Sequence, residues 1–327
     1  MSSTGTTPNG TTGASVSRQP GTGLQAKRQR LGGYDAEVGP LGHLAAERQR
    51  LRELTWQHFD ARTVGATIGA EVSGIDLADE LSDDSVAELR QALLAYKVLF
   101  FRDQPLTAAQ HVAFARRFGE LEIHPFIPAN ADQPELVRFA KSADVGGYEN
   151  GWHSDVSWRA TPSMGAVLRA VSVPPSGGDT LFADMAALYD GLPDDLQAEV
   201  DGLVAVHDFT SSFGRGLDPT ALADMQQKFP AIEHPVIRTH PETGRRLMYL
   251  NRFFVSGIVG MSVDESRVLV DRLCRYADTP EYQCRFQWQP DSVAFWDNRA
   301  VQHYANSDYW PDVRVMERAS IIGDRPF

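Results

Sequence analysis

The strongest constraint on this chain comes from residues 150 onward, where short β-prone runs follow one another with a single helical interruption. Candidate strands are 164–171 (MGAVLRAV), 180–184 (TLFAD), 234–240 (HPVIRTH), 246–251 (RLMYLN), 292–298 (SVAFWDN) and 314–322 (RVMERASII). Gly, Pro, Asn and Asp punctuate them, as in PPSGGD and HPETG, because such residues accept the dihedrals that tight turns require. One helix is expected among them, over 263–277. Parallel sheets need a crossover, usually helical, between successive strands. With so few alternations, the pattern favours an antiparallel double sheet over a Rossmann-type sheet. The expected fold is mainly β with flanking helices, an antiparallel double sheet of the jelly-roll type.

The segments before this region differ. Residues 1–40 are rich in Ser, Thr, Gly and Pro and poor in large apolar groups. They bury too little surface to offset chain entropy, so a disordered tail is expected. Residues 41–58 carry leucines at helical spacing among charges, which suggests a helical extension and a subunit contact; a homo-oligomer, dimer or tetramer, is expected. The principal domain then runs over 59–327. Its first half holds two expected helices, one over 81–96 capped by Ser82 or Asp83 and one over 106–118 starting near Thr107, with a strand at 97–101 (KVLFF) after the first.

The chain of 327 residues has a formal net charge of −12, so phosphate backbones and anionic lipid surfaces are poor partners. A small anion remains open, since a pocket's local charge can oppose the global one. Two cysteines, Cys274 and Cys284, without a CxxC spacing point to a reducing cytoplasm rather than a disulfide framework. No run is long and apolar enough for a membrane span.

The segment Gly151-Trp152-His153-Ser154-Asp155-Val156 carries the most chemistry. On a strand, positions i and i+2 face the same way, so His153 and Asp155 can reach one metal together. Two imidazoles and a carboxylate around a metal with open positions form the facial triad of non-haem Fe(II) oxygenases, so a second histidine is needed. Short motifs arise by chance, and three H-x-[DE] are present here. His58-Phe59-Asp60 closes the helical extension, and His240-Pro241-Glu242 sits in a turn. Only His153-Ser154-Asp155 lies beside a strand among aromatics. Further along, Arg314 and Arg318 share one face of the expected strand 314–322, and buried arginines need anionic partners. Their planar forks suit carboxylates and sulfonates.

The blocks WHSDVSW, GGDTLFADM, HPVIRTHPETGRRLMYLN, WDNRAVQHYA and RVMERASIIGDRPF resemble the TauD/TfdA family of Fe(II)/2-oxoglutarate dioxygenases, from about Val64 to Phe327. The resemblance implies a double-stranded β-helix using Fe(II), 2-oxoglutarate and O₂. It implies that His153, Asp155 and His303 are the iron ligands, and that Thr180 and Arg314 hold the cosubstrate. It implies substrate contacts from His124, Asn150, Phe213, Phe254 and Arg318. The substrate implied is a small anion, taurine or a related alkylsulfonate that releases sulfite and an aldehyde, with alkyl sulfates and aryloxyalkanoate-type carboxylates as alternatives. Three positions depart from the taurine pattern: Ile127 for a tyrosine, Glu149 for a substrate-seating asparagine and Glu317 for a histidine. Without the resemblance, Thr180 reads as the start of a strand and Phe213 and Phe254 as core. His111, His207 and His234 read as structural histidines and Cys274 as inert. Two other classes stay open from the residues alone, a non-catalytic metal-binding jelly roll and a zinc hydrolase.

Overall fold

The computed structural model describes residues 28–33 and 37–327, and most of the tail expected to be disordered lies outside the described residues. The chain divides into two units, Met1–Gly42 and His43–Phe327. In the first, Gln29–Arg30 and Glu37–Val38 pair as a short antiparallel ribbon. In the second, the helix expected over 41–58 spans Leu44–Glu53. No helix among the described residues is long and apolar enough to cross a membrane.

The second unit is built on a two-sheet sandwich and carries two further small sheets. The larger sheet has seven strands in the order Asp60–Thr63, Ala70–Ser73, Val98–Phe101, Val293–Asp297, Ser163–Ser172, Arg314–Ile322 and Leu136–Lys141. All its pairings are antiparallel except that of Ala70–Ser73 with Val98–Phe101. A smaller sheet orders Gln283–Phe286, Thr180–Asp184 and Val301–Ala305. This is the expected jelly roll.

Side-chain alternation explains why the two faces of the large sheet hold different cores. Leu99, Phe101, Val293, Phe295, Ala319 and Ile321 point to one face, where they join Leu89, Leu93 and Phe114 of the helices Asp83–Tyr96 and Ala108–Arg116. Val98, Phe100, Ala294, Trp296 and Met316 point to the other face and meet Phe182, Phe286 and Val301 of the small sheet. Phe100 and Phe286 stack at 4.1 Å between centroids and fix the spacing of the two sheets. Truncating either ring would cost about 3–5 kcal/mol, as for other buried aromatics.

Several local expectations are corrected. Ser82, not Asp83, caps the first helix, its hydroxyl accepting from Ser85 N. Lys97 is not in the following strand: it ends the helix in the left-handed region at φ 65°. Its buried Nζ compensates by donating to Thr67 O at 2.8 Å and pairing with Asp184 at 3.2 Å. The run 234–240 breaks into Ile232–Pro235 and Ile237–Thr239, which pair with different partners. The single helical interruption was an undercount. Met185–Asp190, Asp194–Val200 and Pro219–Lys228 are also helical. The first starts where Asp184, the last residue of a strand, turns its carboxylate onto Ala186 N and Ala187 N. The third starts from Asp218 as cap with Pro219 in the first turn.

Candidate active site

The site lies between the two sheets. It begins with a backbone bridge: His153 N donates to His303 O at 3.1 Å and His303 N donates to His153 O at 2.9 Å. His303 belongs to the strand Val301–Ala305, which the sequence reading did not identify as a strand. His153 contributes only this bridge, and the chain turns from Asp155 to Trp158. The two residues therefore converge through a turn, not by the strand alternation expected. The turn forces Val156 to φ 44°, a conformation that costs an L residue about 1–2 kcal/mol. Strain of this sort persists where surrounding contacts over-determine the backbone. Here Asn298 does so. Its Oδ1 accepts from Asp155 N at 2.7 Å, and its Nδ2 donates to Asp155 O and Ser163 O, both at 3.0 Å. Ser154 Oγ adds a bond to Val301 O at 2.9 Å.

Ligand atoms of His153, Asp155 and His303 lie within 4.8 Å of one another, and all three residues are buried. Nε2 of His153 and Nε2 of His303 stand 4.0 and 3.9 Å from Asp155 Oδ1. Nδ1 of His153 bonds Gly151 O at 2.8 Å, which puts the proton there and leaves the Nε2 lone pair facing the carboxylate. Burial, with His153 alongside, holds His303 down at about 3, so His303 is a neutral donor. Burial pushes the Asp155 carboxyl up, but Arg318 and the two imidazoles outweigh it and hold the group at about 2. Asp155 Oδ2 is buried without a hydrogen-bond partner. An orphaned carboxylate oxygen beside two imidazoles suits a divalent cation.

Two cavities adjoin the triad. The inner one is lined by Thr180, His303, Arg314 and Arg318 among others. Arg314 is buried, its Nε and Nη2 have no partner, and burial pushes its guanidinium below the usual range. A buried, unpaired arginine is a binding site for an anion. Thr180 Oγ1 accepts from Trp288 Nε1 at 3.0 Å, leaving its own proton available to a ligand.

The outer cavity encloses about 830 Å³ and is lined by His124, Phe213, Phe254, Asp155 and Arg318 among others. Two backbone groups, Phe126 N and Ile127 N, donate to His124 Nδ1 at 3.2 and 3.1 Å. The proton must then sit on Nε2, which is buried and unpartnered. Burial, with the Arg318 charge nearby, holds His124 down at about 3, so it presents a neutral N–H to the cavity. The same turn recurs at His240, whose Nδ1 accepts from Glu242 N and Thr243 N while Nε2 bonds buried Asp297. Arg318 differs from expectation, because its Nη1 already donates to Asp155 Oδ1 at 2.7 Å. Its Nε stays unpartnered, and its guanidinium carbon lies 5.0 Å from the centre of the Phe139 ring.

Of the expected substrate contacts, Asn150 is not among the lining residues of either cavity and is exposed; its neighbour Glu149 lines both. His111, His207 and His234 are held in hydrogen bonds to Val167 O, Ser157 Oγ and Arg159 O, away from the triad. Asn298 escaped the sequence reading, although its place in WDNR, five residues before His303, was the available signal.

Residues 60–320 match the family model described as taurine catabolism dioxygenase TauD, TfdA family. An alkylsulfatase of Acinetobacter baylyi is 37% identical over 276 residues, covering 82% of this chain and 86% of the relative. An alpha-ketoglutarate-dependent sulfate ester dioxygenase of Pseudomonas putida is 36% identical, covering 82% of this chain and 91% of the relative. A taurine dioxygenase structure from Burkholderia xenovorans superposes with a TM-score of 0.72 at 38% identity, covering 83% of this chain and 91% of that one.

Proposed function

Since the chain belongs to the TauD/TfdA family of 2-oxoglutarate-dependent dioxygenases, we propose as its substrate an alkyl sulfate with a bulky apolar body. Fe(II), 2-oxoglutarate and O₂ together supply an oxidant that inserts one oxygen atom into a C–H bond, with succinate and CO₂ formed from the cosubstrate. His153, Asp155 and His303 would hold the iron, and Arg314 and Thr180 the cosubstrate. His124 Nε2–H and Arg318 Nε would grip the sulfate, so that the carbon next to the ester oxygen faces the metal. Hydroxylation there gives a geminal hydroxy-sulfate. Loss of the hydroxyl proton with departure of sulfate yields an aldehyde.

The observation that carries this reading is the outer cavity. Its volume of about 830 Å³ lies at the upper end of the range for drug-sized ligands. Phe213, Phe253 and Phe254 wall it, and its two unpartnered donors belong to side chains beside the triad. Taurine would leave most of that apolar wall wet. Its ammonium would also compete with Lys141 for Glu149, since Lys141 already holds that carboxylate at 2.9 Å. The two cysteines are free, which supports a cytoplasmic setting.

The test is a panel of taurine, hexanesulfonate, ethyl sulfate, hexyl sulfate and a phenoxyacetate, scored by succinate and by released sulfate or sulfite. Four further methylenes buried at about 0.8 kcal/mol each should favour hexyl sulfate over ethyl sulfate by on the order of 200-fold in kcat/KM. Preference for taurine would refute the substrate. Absence of iron-dependent succinate with every compound would refute the enzyme and leave a metal-binding module.

A further inference from the structure

The geometry points to Lys141 as a second cation for the cosubstrate's far carboxylate, with Glu149 as the resident counter-ion that competes with that carboxylate for Lys141. The inference rests on the reading of the inner cavity as the 2-oxoglutarate site.

Strand register supplies the first observation. Lys141 and Arg314 are direct partners across the antiparallel pair of Leu136–Lys141 with Arg314–Ile322. Directly opposed residues project to the same face with Cβ atoms about 5 Å apart, and like charges in that relation repel. The next pair on that face is Phe139 with Met316, and all four residues line the inner cavity. Two cations side by side on a largely buried wall require an anion.

The chain supplies one. Glu149 is the single carboxylate among the described residues lining the inner cavity. Its Oε1 stands 2.9 Å from Lys141 Nζ, and its Oε2 accepts from Tyr148 N at 2.9 Å. The third cation on that wall, Arg318, is matched by Asp155. Among the lining residues, what remains is Lys141 and Arg314 against Glu149, one positive charge in excess, with Arg314 Nε and Nη2 unpartnered; Asp179 also acts on Arg314 but is paired with Arg285. One arriving carboxylate balances the wall. Burial lowers the affinity of Arg314 for its proton, while Tyr309, Glu149 and Asp179 raise it, so the field of Glu149 reaches both cations.

Glu149 has a second connection. It lines the outer cavity as well, and its backbone oxygen accepts from Ala305 N, two residues beyond His303. A carboxylate that takes Lys141 from Glu149 therefore alters a wall of the substrate cavity from within the cosubstrate cavity. The two pockets share this acid, and filling one changes the charge presented to the other.

The experiment is calorimetric titration of N-oxalylglycine, a dicarboxylate of the same length, onto the Mn(II)-loaded full chain. Wild type, K141M, K141R and E149Q are compared at matched metal occupancy. The expected pattern has opposite signs: K141M binds about tenfold more weakly, E149Q binds several-fold more tightly, and K141R stays within about threefold of wild type. A merely structural role for the pair would weaken binding in both K141M and E149Q, and that result overturns the inference. So does unchanged affinity in K141M. If wild type binds no N-oxalylglycine, the reading of the inner cavity falls first and takes this inference with it, which distinguishes the two failures.

Discussion

Replacing Asn298 with alanine removes three hydrogen bonds from the far end of the metal-ligand turn, at 2.7, 3.0 and 3.0 Å. Asp155 N, Asp155 O and Ser163 O would each lose that partner in a buried region. A buried group left unpaired costs about 1–3 kcal/mol. If water recovers some of these bonds, a net loss of about 3 kcal/mol is expected, or roughly 5 °C in Tm for a domain of this size. The more telling effect is local. Without the clamp, the strained dihedral of Val156 can relax, and relaxation swings Asp155 away from the two imidazoles. N298A should therefore lose metal affinity by at least about tenfold, beyond any stability change, read by Co(II) titration of folded protein well below its Tm. N298D keeps the acceptor for Asp155 N but sets a carboxylate against two carbonyl oxygens, so it should be worse than alanine on both measures. Unchanged metal affinity in N298A, with a Tm within about 2 °C of wild type, would refute the idea that this amide holds the ligand in place.

Arg318→Ala should raise the substrate KM and also weaken metal binding, because the same guanidinium bonds Asp155 Oδ1; cosubstrate affinity of the metal-saturated variant should change little, and intact metal affinity would show that the bond to Asp155 is unimportant. Burial holds His111 at about 4, against about 6.5 for a solvated histidine. The unfolded chain therefore takes up a proton first as pH falls, and stability present above pH 6.5 is lost on the way down to 4, by about 3 kcal/mol in total. Urea denaturation of the metal-free protein at pH 6.5 and 5 should show a loss about 2 kcal/mol larger in wild type than in H111N; parallel curves would rule this histidine out as the source.

The sandwich was legible because strand alternation is a short-range signal. Val98 to Phe101 and Val293 to Asp297 read as buried runs whichever partners they find. The helix Met185–Asp190 was hidden because Asp184 both ends a strand and caps a helix, so no polar break separates them. At the site, the His153–Asp155 spacing was visible, but the reason those side chains meet was not. It depends on a backbone bridge to His303 and on an amide 143 positions away, and neither leaves a periodic trace. That Glu149 lines both cavities while its neighbour Asn150 is exposed has the same origin. Adjacent residues in an irregular loop point in different directions, and composition does not say which one faces inward. His124 was placed by resemblance alone, yet its chemistry has a local cause, the His-Pro turn that pins its proton on Nε2 and that recurs at His240.

Arg314 and Arg318 project from one strand that stays in unbroken register with Leu136–Lys141. Four residues of extended chain cover about 13 Å, so the two anchors proposed above would be set at a fixed gauge with no hinge between them. Neither anchor can slide to suit a longer or shorter molecule. Changes in what the protein accepts must then come from the opposite bank, where Phe213, Phe253 and Phe254 sit outside the sheet, and selection there can reshape the guest while the oxidising end stays untouched.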